Sequence, residues 1–234
     1  MIVDGDTRDV RSAVGSSQAS EFLRSVYGWM AAGLALTAAV SWFAAASPTL
    51  VEAIASNGLL FWGLVIAQLV IVVVLSARVE RLSASAAATL FIVYSALTGL
   101  TMSFVLLAYT GESIATTFLI SAGMFGSLAV YGATTRRDLS GMGQFLFMGL
   151  IGVVLASVVG FFWHSDALQF VITLVGVGVF AGLAAYDAQR LRNMADAVPD
   201  GHAGAYAING ALALYLDFIN LFLFMLRIFG RRRE

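Results

Sequence analysis

Apolar residues run in seven long blocks along the chain, near 25–46, 59–76, 86–108, 114–133, 143–163, 168–188 and 206–229. A helix needs about 20 mostly apolar residues to cross a bilayer, and these blocks meet that length. The runs are continuous rather than alternating, which argues against a membrane β-barrel. The pattern therefore predicts an all-α integral membrane protein with seven transmembrane helices. Its expected organisation is a polar N-terminal tail at 1–24, a seven-helix domain at 25–230 and a basic C-terminal tail at 231–234. The first stretch carries Asp4, Asp6, Asp9, Arg8 and Arg11. It lacks the basic start and short apolar core of a signal peptide and reads as a disordered tail.

Composition sharpens this picture. Hydrophobic residues make up 60% of the 234 positions and charged residues 12%, against about a quarter charged in soluble domains. A water-soluble fold is excluded. The net charge of −1 gives no pull toward nucleic acid. With no cysteine, disulfides, thiolate metal sites and cysteine nucleophiles are ruled out. All 13 basic residues are arginine, so a retinal–lysine Schiff base is impossible. The two histidines, His164 and His202, fall in loops, which argues against bis-histidine haem. No nucleophile arrangement, phosphate loop or metalloprotease cluster is visible, so no enzyme activity and no resident cofactor are expected.

The arginines alternate along the connections. Arg8, Arg11 and Arg24 precede the first block, and Arg78 and Arg81 lie between the second and third. Arg136 and Arg137 follow the fourth, and Arg190 and Arg192 the sixth. The intervening loops 47–58, 109–113 and 163–167 contain none. The positive-inside rule then places the N-terminus and the arginine-bearing loops in the cytoplasm, and the alanine, glycine and arginine enrichment without lysine points to a bacterial plasma membrane. Seven full crossings put Arg231, Arg232 and Arg233 outside, against the rule; a re-entrant last segment would return them inside. The length of 206–229 favours seven crossings, with the nine upstream arginines outvoting the tail.

Two carboxylates interrupt the last two blocks, Asp187 in GLAAYDAQRL and Asp217 in ALALYLDFINLF. An acid at membrane depth is costly unless protonated, paired or facing water, so each is a functional-site candidate. If the two blocks form a hairpin, its midpoint is His202, within Val198-Pro199-Asp200-Gly201-His202, which contains good helix breakers. A helix running on to about Ala195 puts Asp187 on the order of 10 Å below its end, a depth open to Asp217 too. Two carboxyls held together in low dielectric cannot both ionise cheaply and share a proton, which makes a pH sensor. Alternatively each aspartate hydrogen-bonds within the bundle, for instance to Asn209 or Asn220. Arg78 and Arg81 are placed to compensate the charge. Gln68 and Gln144 read as interhelical hydrogen-bonding groups, Arg227 as a snorkelling side chain, and Trp29, Trp42, Trp62 and Trp163 as interfacial anchors. Gly178 and Gly182 form a small-xxx-small pair, for which close packing is the simpler reading.

Three stretches resemble the Bax inhibitor family of transmembrane proteins: ALALYLDFINLFLFMLRIFG at 211–230, AAYDAQRL at 184–191 and FLRSVYGWMAAGLALTAAVSW at 22–42. The resemblance implies a central C-terminal helix wrapped by two three-helix layers, and a pH-sensitive calcium leak. It implies that Asp187 and Asp217 form a hydrogen-bonded sensor pair, and that an arginine of the second helix, Arg81 or Arg78, latches one of them when closed. Arg227 falls where the family also has arginine. Some members carry an acid in the second helix; here that block has Gln68 and no acid. Calcium prefers six to eight oxygens, so two aspartates imply a weak, transient site. Other functions considered are a membrane interaction protein modulating a membrane protease or a stress or cell-death pathway, and a proton-coupled small-solute transporter.

Overall fold

The computed structural model describes residues 4–233, apart from 164, 196 and 200, with side chains from Gln18 onward except that of 161 as well. The described residues form eight α-helices: α1 (Asp4–Ala45), α2 (Pro48–Ser56), α3 (Gly58–Ala77), α4 (Ala84–Ala108), α5 (Gly111–Thr134), α6 (Ser140–Phe162), α7 (Asp166–Met194) and α8 (Ala203–Phe229). A single 3₁₀ turn, Val79–Arg81, joins α3 to α4. Seven of these helices are long and apolar enough to cross a membrane, all but α2. This is an all-α integral membrane protein.

Two expectations about the first 60 residues change. The segment read as a disordered tail continues the first helix, which runs from Asp4 through the first span to Ala45. No proline interrupts this stretch, so the span can propagate its helix backward. Second, the loop 47–58 contains α2. Its signal was a Ser47-Pro48 start, proline being favoured at the first helical position, followed by Leu50, Val51 and the buried Ile54.

The chain divides into two compact units. The first holds Met1–Thr101 and Arg190–Leu212. Here α1 and α4 approach closely, because a Cβ on Gly33 would meet the Phe91 ring and one on Gly99 would meet Val40 and the Thr37 carbonyl. Thr37 Oγ1 donates to Ser95 O at 2.9 Å. Trp29, expected as an interfacial anchor, is half-buried and meets Phe91 edge-on at 6.2 Å; Trp42 and Trp62 are exposed as expected. Gln68 Oε1 lies 3.4 Å from Thr98 Oγ1 of α4, whose proton has a nearer acceptor in Tyr94 O at 2.9 Å. The turn before α8 has Gly201 at φ 80, a left-handed conformation that glycine adopts without strain.

The second unit holds Met102–Gln189 and Ala213–Glu234. Within it α5 lies on α8 through edge-to-face ring pairs, Phe118–Phe218 at 5.4 Å and Phe125–Phe218 at 5.5 Å. Gln144, expected between helices, is exposed on α6 instead. The end of the chain is tied down: Thr110 N donates to Arg231 O and Arg233 N to Ala108 O, both at 2.9 Å. The 27 residues of α8 run unbroken, about 40 Å at 1.5 Å per residue. The last segment is therefore one continuous helix of spanning length rather than two re-entrant half-helices, and the chain ends beside the arginine-free α4–α5 connection. Of the seven spans α8 is the most buried and α3 the least.

Outside the spans, Ser140 donates from N and Oγ to Asp138 Oδ1 at 2.9 and 2.6 Å. These hydrogen bonds hold the Asp138 carboxyl below its ordinary range. It therefore stays ionised in mild acid, so a response there has another source.

Candidate acid-pair site

Small residues bring α7 close to its neighbours around Asp187. A Cβ on Gly132 of α5 would strike the Ala185 carbonyl, one on Gly143 of α6 would enter the Tyr186 ring, and one on Gly176 would meet Phe224 of α8. Phe180 stacks on Phe224 at 5.8 Å. The expected glycine pair is split: Gly182 is covered by Leu146, whereas Gly178 faces open space.

This packing brings Asp187 and Asp217 together within the second unit. Their carboxyls share a side-chain hydrogen bond, and Asp217 is 5% exposed. Asp187 is half-buried. A hydrogen bond between two carboxyl groups requires a proton on one of them. The other oxygen of the inner residue, Asp217 Oδ2, is buried without a protein hydrogen-bond partner.

The remaining candidates separate. Asn220 donates to Leu216 O of its own helix at 2.8 Å, so its amide is turned back on α8. Asn209 is half-buried in the first unit. Arg78 and Arg81 are exposed in that same unit, at the end of α3 and in the 3₁₀ turn. Arg227 sits over the Phe224 ring at 5.4 Å and is exposed near the end of α8, consistent with a snorkelling role. It also lines an open cleft of about 660 Å³ with Tyr109, Asp166, Gln169, Thr173 and Arg232. Among the described residues no group of three or more His, Cys, Asp or Glu side chains could hold a metal ion.

One residue escaped the sequence reading. Gln189, two positions after Asp187, is 4% exposed. Its Oε1 accepts from Leu139 N at 2.8 Å and its Nε2 donates to Arg137 O at 2.7 Å. The amide thus clamps the α5–α6 loop onto the acid-bearing helix. An amide two residues from a buried acid was the available clue. Gln189→Leu is expected to orphan both backbone groups and lower stability by about 2 kcal/mol or more. Limited trypsin digestion should then cleave faster at Arg136 and Arg137. Gln189→Glu keeps the acceptor but loses the donor, and should fall between the two.

The fold and the pair define a multi-pass helical membrane protein with a buried, hydrogen-bonded acid pair between its last two crossings. The chain belongs to the Bax inhibitor family: residues 19–234 match the family described as Inhibitor of apoptosis-promoting Bax1. It is 54% identical over 215 residues to the inner membrane protein YbhL of Escherichia coli strain K12, covering 91% of this chain and 92% of that protein. An uncharacterized protein of Deinococcus radiodurans is 48% identical over 218 residues, 93% of each chain. One from Borreliella burgdorferi is 41% identical over 217 residues, covering 92% of this chain and 94% of that protein.

Proposed function

We propose that this protein is a pH-sensitive calcium leak channel of the bacterial cytoplasmic membrane, with Asp187 and Asp217 as its gate. The observation that carries this reading is the hydrogen-bonded carboxyl pair inside a spanning hairpin, where a single proton holds two acids together. Falling pH supplies that proton and removes one of the pair's two negative charges, since two carboxylates in contact cannot both stay ionised cheaply, and so loosens the hold on whatever cation the pair binds. The family resemblance names this cation as Arg81 or Arg78. Calcium is the cargo, met by the carboxyl oxygens in a transient site, since two aspartates fall short of the six to eight oxygens of a tight cage. The inner-membrane relative YbhL and the arginine-rich connections support the location, with the N-terminus in the cytoplasm.

Purified protein in liposomes should admit calcium, and the leak should rise about tenfold from about pH 8 to about pH 6, a change of about 1.4 kcal/mol in the open–closed balance. Absence of calcium entry at both values, in vesicles where the protein is correctly inserted, overturns the channel reading.

A further inference from the structure

Helix α5 buries one line of residues, Ser113, Thr117, Ser121, Phe125, Ala129 and Gly132. Its first half is polar and spans about 12 Å from Ser113 to Ser121. At the arginine-free end Ser113 Oγ shares its one proton between Thr110 O at 3.1 Å and Arg231 O at 3.4 Å. Thr117 Oγ1 and Ser121 Oγ, further in, have no protein partner although both residues are at most 1% exposed.

That is unusual within this unit. Ser127 and Thr134 on the same helix, Ser157 on α6 and Thr173 on α7 all turn back onto the carbonyl four residues earlier, at 2.7 Å. The same bond is chemically open to Thr117 and Ser121. Ser121 lies one turn from both Phe118 and Phe125, the rings that close on Phe218, and Phe218 is next to Asp217 with its own unpartnered Oδ2. Two buried oxygens without partners, Thr117 Oγ1 and Ser121 Oγ, thus lie on the buried line of α5 between its arginine-free end and the level of Phe218, whose neighbour Asp217 has the third. Leaving such groups unsatisfied costs about 1–3 kcal/mol each, so this seam is poised to take up water, and oxygens are the ligands that a hard cation prefers.

We propose that Thr117, Ser121 and Asp217 Oδ2 line the hydrated half of the permeation path, leading a partly dehydrated divalent cation from the arginine-free face to the acid pair. This rests on the leak reading above, and its test separates the two. Because the chain has no cysteine, Thr117→Cys and Ser121→Cys each introduce a single thiol. In proteoliposomes a small cationic methanethiosulfonate reagent should modify both at least about tenfold faster than Leu119→Cys, whose side chain is exposed on the apolar outer surface. The second arm is calcium entry through a Thr117→Val/Ser121→Ala double variant, expected to fall about tenfold, the loss of one hydrogen bond to a charged group. Labelling no faster than at Leu119→Cys overturns the seam. Fast labelling with wild-type calcium entry in the double variant overturns its place on the path. If the cysteine variants fail to fold, the double variant decides alone. Wild-type protein that passes no calcium sinks the channel reading, and labelling then decides whether the seam is hydrated.

Discussion

Asp217→Asn is expected to give a folded protein whose calcium leak no longer responds to pH. The amide nearly matches the carboxyl in size and can donate to Asp187 as a protonated carboxyl does, so the pair's hydrogen bond survives. What disappears is one of the two titrating groups. In the proposed gate, falling pH takes the wild-type pair from two negative charges to one as the shared proton enters, a step that exists because two carboxylates in contact cannot both stay ionised cheaply. The sign is therefore opening with falling pH, and the amide variant, with a single carboxyl, loses the coupled step. Calcium entry should change by less than about twofold from about pH 8 to about pH 6, against about tenfold for the wild type. Asp187→Asn should do the same from the other side. Both variants retaining the wild-type pH response would sink the sensor assignment, even if the leak itself is real. Asp138 is not a rival source, because its hydrogen bonds to Ser140 keep it ionised in this range.

The second large effect belongs to Gly132. Replacing an interior helical glycine by alanine ordinarily stabilises by about 1 kcal/mol through propensity. At Gly132 the new methyl would meet the Ala185 backbone carbonyl, and a backbone cannot step aside as a flexible side chain can. Overpacking of this kind costs about 3 kcal/mol or more, so the clash outweighs propensity and Gly132→Ala should destabilise by about 2 kcal/mol. Gly123 and Gly126 lie on the same helix with nothing within 4 Å of an added Cβ. Alanine there should be neutral or stabilising by up to about 1 kcal/mol. Thermal unfolding in detergent distinguishes the three; equal effects would mean that α5 and α7 do not meet at Ala185. Because Ala185 is two residues from Asp187, the Gly132→Ala variant should also disturb the pH response.

Much of the fold was legible because membrane spans announce themselves by continuous apolar length, a signal that needs no tertiary information. That Asp187 and Asp217 could meet across a hairpin was legible too, but not its shape: α7 ends at Met194, soon after Asp187, whereas α8 begins at Ala203, twice as far before Asp217. Helix rotation was not, and that is where expectations diverged. Asn220 reads equally well facing Asp217 or its own Leu216 carbonyl until α8 is packed. Gln144 and Gln68 look alike in the sequence, yet one is exposed and the other meets Thr98. Trp29 resembles an interfacial anchor until Phe91 arrives from α4, more than 60 positions later. The Gln189 clamp eluded the sequence because its partners are backbone atoms of a distant loop, which carry no side-chain signature.

The acid pair also has a consequence for biosynthesis. Thirty residues separate Asp187 from its partner, and at about 5–20 residues per second they take on the order of seconds to synthesise. During that interval α7 carries an acid whose hydrogen-bonding mate does not yet exist, so its entry into lipid is unfavourable until α8 arrives. The two helices should therefore leave the insertion machinery together, as a hairpin. A chain interrupted between them would present an unmatched carboxyl to the bilayer, a recognisable mark of an unfinished protein.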